Sequence, residues 1–241
     1  NGEVNTIFNH YYSPQLSNYR DISVYKPASF IQNHLKRKIN VLILNDGTPE
    51  YTQQLAFIGG FDHAILSGAI PETIIIGLPQ NGTSSERQYE LTFSSPPGSP
   101  QGTSGGTSLY FDFIKDTVVP NVMTELNMTL GEVSMTGVSL GGLTSTYAAS
   151  AMSNYFRRIF AASPSNWWNN AQLINLITTN APIHGLPLSV VMYVGTIEGN
   201  GPELCASGDP LTPEGDCSER MRWLNIVNAT SQSYIKAGVP T

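Results

Sequence analysis

The chain has 241 residues, enough for one large domain with a full core, and its 40% hydrophobic content excludes global disorder. Charged residues make up only 12%, the net charge is −6, and the longest basic run is Lys36-Arg37-Lys38, which argues against nucleic acid or an anionic membrane as partner. No apolar stretch approaches the roughly 18 residues that a spanning helix needs.

In chain order, strand-like segments fall at Asp21–Tyr25, Ile39–Leu44, Thr73–Leu78, Glu132–Val138, Arg158–Ala162 and Leu188–Val194. Most are continuous apolar runs, the pattern of strands buried on both faces. Helical patterns lie between them at Tyr51–Ser67, Leu109–Leu126, Gly141–Asn154 and Ser218–Ala237. This alternation predicts an α/β fold, a doubly wound and mostly parallel sheet with helices on both faces. Ser94–Ser108 is rich in Ser, Pro, Gly and Thr and reads as a surface loop, and Gly199–Cys217 as a breaker-rich insertion. Neither separates two composition regimes, so residues 1–241 are read as one domain, with the insertion 199–217 closed by a disulfide.

That disulfide is expected between Cys205 and Cys217, because the segment around them is too polar to bury free thiols. Closing so short a loop contributes about 3 kcal/mol in the chain-entropy picture. Three glycosylation sequons, at Asn81, Asn127 and Asn228, point with the cysteines to a secreted, extracellular protein. The chain starts with Asn1 and carries no visible signal peptide, as a processed chain would.

The strongest chemical signal is Gly137-Val138-Ser139-Leu140-Gly141, a G-x-S-x-G between an apolar strand and a helix. That setting is what a nucleophile elbow requires, with Ser139 as nucleophile. The N–H of Leu140, at the helix start, is then placed to bind an oxyanion. A second donor is expected in the loop after an earlier strand, at Gly47 or Thr48 of Asn45-Asp46-Gly47-Thr48; an ordinary Asp-Gly turn is the plainer reading. There is no phosphate loop and no zinc helix. Gly199-Asn200-Gly201 lacks the rest of a dinucleotide fingerprint, so no metal and no organic cofactor is expected.

From Tyr25-Lys26-Pro27 to Trp167-Trp168 the chain resembles the esterase family of α/β-hydrolases that includes esterase D-like enzymes, feruloyl esterases and trilactone siderophore hydrolases related to enterochelin esterase. The resemblance rests on Leu44-Asn45-Asp46-Gly47, Arg87-Gln88-Tyr89-Glu90-Leu91-Thr92, the helix bearing Pro120, the elbow at Ser139 and Ser163-Pro164-Ser165-Asn166-Trp167-Trp168. It implies an α/β-hydrolase sheet without a large lid. It also places Trp167 and Trp168 near the elbow, either as walls of an apolar pocket or as core. Glu198, after the strand ending near Val194, occupies the position of the family's triad acid; Glu203 and Asp209 are the weaker candidates.

The base is harder to place, because an α/β-hydrolase triad runs nucleophile, acid, histidine. The four histidines are His10, His34, His63 and His184, and none follows Glu198. His34 and His184 each precede a strand whose far end carries the site, and His63 reads as a surface helix residue. In the family the histidine follows one more helix and strand, which places it beyond Thr241 or on a companion chain. Two readings follow. One is a secreted serine carboxylesterase acting on a small-molecule ester through an acyl-enzyme on Ser139. The other is a non-catalytic binding or structural protein, monomeric or homo-oligomeric, that keeps the pocket for a small apolar ligand.

Overall fold

Predominantly apolar runs at Ile39–Leu44 and Thr73–Leu78 are what a strand needs when both its faces are covered. They form the centre of a seven-stranded sheet in the computed structural model, which describes residues 2–32, 36–58, 60–80, 82–179, 189–195 and 218–239. The strands are β1 (Glu3–Ser13), β2 (Asn18–Lys26), β3 (Lys38–Asn45), β4 (Thr73–Leu78), β5 (Thr129–Val138), β6 (Phe156–Ala162) and β7 (Ser189–Tyr193), in the spatial order β1-β2-β4-β3-β5-β6-β7. The run from β4 to β7 is parallel, Leu42 facing Ile75 on one side and Ser134 on the other. β2 joins β4 antiparallel, and β1 adds to β2 as a hairpin at the edge.

Five of the six strands expected from the sequence lie within these elements, and the sixth, Leu188–Val194, overlaps β7 at Ser189–Tyr193, with Leu188 outside the described residues; β1 was not anticipated. It is an edge strand with a half-exposed face, so it never reads as an apolar run. Irregularities between Thr6 and Phe8 and between Phe8 and Tyr11, with His10 at φ 50°, also break its alternation. Bulges of this kind turn an edge away from further pairing.

The helices are α1 (Ala28–Gln32), α2 (Pro49–Gln53), α3 (Phe61–Leu66), α4 (Ser84–Leu91), α5 (Thr107–Asp112), α6 (Val119–Glu125), α7 (Leu140–Ala151), α8 (Trp168–Thr179) and α9 (Ser218–Lys236). The expected helix at 51–67 is three pieces: α2, a π turn over Gln54–Ile58, and α3 after Gly60 at φ 73°. The one at 109–126 is likewise α5, a π turn over Phe113–Val118, and α6 with Pro120 in its first turn. Proline has no N–H to donate, and the widened turn before it accommodates the missing bond. α4 was missed because it is polar, although its capping box, Thr83 with Glu86, is a legible start signal.

Two apolar layers fix the sheet. The larger holds Ile39, Val41, Ile43, Ile74, Ile76, Phe111, Phe156 and Leu173 against α5 to α9. The smaller holds Leu44, Ile75, Ala56 and Ile65 beneath α2 and α3. Helices therefore cover both faces. On the smaller side they reach only part way, and among the described residues Phe160, Val191 and Tyr193 stand exposed beside them.

At the amino edge of β4, Glu72 accepts from Arg37 Nε at 2.7 Å, Arg37 Nη2 at 2.8 Å and Ser29 Oγ at 2.5 Å. Hydrogen bonding from Arg37 holds the Glu72 carboxyl below its ordinary 4.5. A depressed carboxyl stabilises the fold above its unfolded value and loses that contribution as pH falls through the folded one. Acid unfolding between about pH 5 and pH 3 is therefore expected to be shallower in Glu72→Gln than in the parent, measured as melting temperature against pH.

Candidate active site

The carboxyl ends of β5, β6 and β7 are tied together by the backbone at one sheet edge. Ser139 N–H donates to Ala162 O at 3.2 Å, Ser165 N–H to Ser139 O at 3.0 Å, and Ser163 N–H to Tyr193 O at 2.6 Å. Ser139 is the residue between β5 and α7, at φ 58° and ψ −120°. A non-glycine residue in that region is strained by roughly 1–3 kcal/mol, and such strain persists only where its surroundings enforce it. Here the enforcement comes from both ends. Leu143 N–H takes the Ser139 carbonyl at 2.9 Å to open the helix, and the three glycines around it let the helix lie close to its neighbours.

Those approaches are tight. A Cβ on Gly137 would meet Gly141 C and O at 2.6 Å, and one on Gly142 would meet Pro164 Cα at 3.0 Å. Gly137→Ala is expected to lose about 3 kcal/mol, the upper end of ordinary overpacking, because backbone cannot step aside. A urea midpoint within error of the parent would show that the elbow has slack it does not have here.

Leu140 opens α7, so its N–H belongs to the first turn, where no intrahelical acceptor exists. The other half of the expected oxyanion site requires a correction. Gly47 N–H is already donated to Leu78 O at 3.1 Å, so Gly47 is a spacer and not a donor. Its value is room: a Cβ there would sit 2.6 Å from Gly77 Cα. Thr48 N–H turns back to Asp46 O at 3.0 Å, and a ligand oxygen would have to share that donor. The Thr48 hydroxyl accepts from Tyr51 N–H and caps α2. Asp46, at φ 58°, is gripped by Arg87 through Nε and Nη2 at 2.8 Å each. That carboxylate holds the Arg87 guanidinium above its usual value.

The Ser139 hydroxyl lies 3.4 Å from Ser165 Oγ. Ser165 is buried, and Asn166 beside it accepts from Thr146 Oγ1 at 2.8 Å. The tryptophans that follow part company. Trp168 is 8% exposed, its Nε1–H given to Ser94 O at 2.9 Å, so it is core and not a pocket wall. Trp167 is 37% exposed. After them Asn169, Asn170 and Ala171 make a left-handed turn before α8 becomes regular.

Of the histidines, His10 stacks on Tyr19 in the edge hairpin, at 4.3 Å between ring centroids, and His63 is exposed on α3. His34, His184, Glu198, Glu203, Asp209, Cys205, Cys217, Asn81 and the insertion 199–217 lie outside the described residues. The strand leading to Glu198 is β7, which ends at Tyr193 on the Ser139 edge of the sheet. Asn127 and Asn228 are exposed.

The residues that the motifs did not single out are Asn45, Tyr110, Asp46 with Arg87, and Ser165. Asn45 stands directly before the Asp-Gly turn, at the end of an apolar strand, and a polar residue there is the one signal that could have drawn notice.

Both the sequence and the sheet it builds are matched by known proteins. The family described as "Putative esterase" covers residues 13–192. The chain belongs to that esterase family. Over 114 residues it is 32% identical to a siderophore enterobactin esterase of Emericella nidulans, across 42% of this chain and 38% of that protein. The chain thus spans well under half the length of that curated relative. An IroE-like serine hydrolase from Shewanella oneidensis superposes with a TM-score of 0.71 at 20% identity, covering 100% of this chain and 72% of the other. The siderophore hydrolase EstB from Aspergillus nidulans gives 0.63 at 19% identity, over 98% and 80%. At such identities these two likenesses establish the fold, which is that of α/β-hydrolase esterases.

Proposed function

We propose that this member of the esterase family is a secreted serine carboxylesterase, and the observation that carries the proposal is Ser139. Its half-exposed hydroxyl stands at the start of α7 on a backbone held at positive φ. Ser139 Oγ attacks the ester carbonyl carbon while a histidine takes its proton, giving a tetrahedral oxyanion held by Leu140 N–H and by the turn at Thr48. Collapse expels the alcohol, to which the histidine returns the proton, and leaves an acyl-serine. Water, deprotonated by the same histidine, then releases the acid. Glu198 orients the imidazole.

The histidine is the component supplied from elsewhere. His10 is stacked on Tyr19 in the edge hairpin and His63 is exposed on α3. His34 and His184 lie outside the described residues and come before β3 and β7 in the chain, whereas the α/β-hydrolase order puts the histidine after the acid. The base therefore follows residue 241 or comes from a companion chain packed at the edge of β7. Secretion, the Cys205–Cys217 bridge and glycosylation at Asn81, Asn127 and Asn228 belong to the same proposal, supported by low charge and sequons alone.

The deciding experiment uses the native full-length protein and a fluorophosphonate probe, followed by peptide mass mapping. The probe's mass is expected on the Ser139 peptide, with hydrolysis of short p-nitrophenyl esters lost in step. Ester-linked siderophores, of the kind named for the curated relative, are the next substrates to try. Intact mass under reducing and non-reducing conditions tests the bridge and the C-terminal extent together. A native protein that takes no probe, hydrolyses nothing and carries no further histidine would instead be the binding protein, with the pocket kept for an apolar ligand.

A further inference from the structure

The proposed oxyanion site draws on two separate pieces of chain, the turn after β3, where the oxyanion shares Thr48 N–H with Asp46 O, and the first turn of α7, and the side chain placed between them is Asn45. It is fully buried at the last position of β3. Its Nδ2 donates to Gly141 O at 2.9 Å and to Ser145 Oγ at 3.0 Å, and its Oδ1 accepts from Tyr110 O–H at 2.9 Å. The amide orientation is fixed by chemistry. A backbone carbonyl can only accept, so the nitrogen must face Gly141. Both Nδ2 protons are then spent, and the oxygen is left for Tyr110, whose phenol burial keeps protonated and able to donate. Ser145 closes the group, its Oγ also donating to Gly141 O at 2.8 Å.

The fit around this amide is close. A Cβ on Gly137 or on Gly141 would each come within 3.0 Å of Asn45 Cβ. The outer glycines of the G-x-S-x-G motif therefore leave space for this one side chain as well as for the sharp turn. Asn45 is covalently followed by Asp46-Gly47-Thr48, and through Gly141 O it grips the residue after Leu140. A displacement between the two pieces must break a buried hydrogen bond and leave its donor without a partner.

We propose that Asn45 is the positioning residue that locks the two halves of the oxyanion hole into one rigid body, with Tyr110 holding its amide in place. This rests on the serine-esterase reading of Ser139. It touches no substrate, so its effect falls on interactions made only in the transition state, which lower kcat and leave KM unchanged. Losing a whole oxyanion donor costs about 10²–10³-fold; loosening one costs less.

The test uses the full-length enzyme. Asn45→Asp keeps the shape but turns the donor into an oxygen facing Gly141 O. It is expected to lower kcat about 10- to 100-fold with KM within about twofold, and to weaken inhibition by a phenylboronic acid in parallel. Tyr110→Phe, which removes only the hydroxyl, is expected to lower kcat a few-fold with the same split, and it decides the matter if Asn45→Asp fails to fold. Serine-dependent hydrolysis with kcat and boronate affinity unchanged in a folded Asn45→Asp, or in Tyr110→Phe where the first does not fold, overturns this inference alone. A change confined to KM does the same. Hydrolysis that survives Ser139→Ala overturns the site reading and this inference with it.

Discussion

Ser139→Ala is expected to lower kcat for p-nitrophenyl ester hydrolysis by at least about 10³-fold, with melting temperature within a degree or two of the parent. The size follows from what remains. An oxyanion hole and a binding surface still accelerate the reaction over water, but the covalent route is gone. The side-chain hydrogen bond of Ser139 is the long 3.4 Å approach to the buried Ser165 Oγ, so truncation gives up only one weak bond. Alanine also inherits the positive φ, and with it the strain. Ser139→Gly does not: glycine enters that region freely, so this variant is expected to be as inactive and about 1 kcal/mol more stable. The two substitutions together separate the chemistry of the hydroxyl from the strain of the turn. Residual activity above about 10% in either would show that the nucleophile lies elsewhere.

The parallel core was legible because apolar runs and their order are local properties of the sequence. Ile39–Leu44 and Thr73–Leu78 could hardly be anything but buried strands. The elbow was legible for the same reason: five consecutive residues define it, and the strand and helix beside it are adjacent in the chain. What escaped was non-local. Whether Gly47 N–H is free depends on Leu78 O, which belongs to another strand. Trp168 is core because Ser94 happens to lie over it, while its neighbour Trp167 remains half exposed. Asn45 acquires a role only once β3 is laid against α7, 96 positions further along. The Arg87 that grips Asp46 was visible as part of a family-like run, but the pairing was not. Side chains whose work is to join elements leave no periodic trace.

The same helix that carries Arg87 is anchored by a second pair, and breaking it is expected to give the largest stability loss in the molecule. Arg20 on β2 meets Glu90 on α4 through Nη1 to Oε2 at 3.0 Å and Nη2 to Oε1 at 2.6 Å, with side-chain exposures of 1% and 3%. Asn18 bridges both partners, donating to Glu90 Oε1 at 2.8 Å and accepting from Arg20 Nη2 at 3.0 Å, and the guanidinium lies 5.1 Å from the centre of the Phe113 ring. Among the described residues Arg20 Nε has no hydrogen-bond partner, so the site already carries one uncompensated donor. Glu90→Gln preserves size and leaves a buried cation without its counter-charge. The expected cost is about 3–5 kcal/mol in urea unfolding, largely independent of salt. Glu132→Gln, on β5, weakens more exposed pairs with Arg158 and Arg157 of β6 and should cost under about 1 kcal/mol, and less still in high salt. Replacing Arg20 and Glu90 together by methionine should recover most of the Glu90→Gln loss, because the desolvation of both ions disappears with them. Ester hydrolysis should not recover in the same way. Without the Arg20 anchor α4 is free to shift, and Arg87 with it, so the double variant is expected to fold well yet turn over more slowly. A Glu90→Gln loss below 1 kcal/mol would mean that water reaches the pair and that α4 is held by its apolar contacts alone.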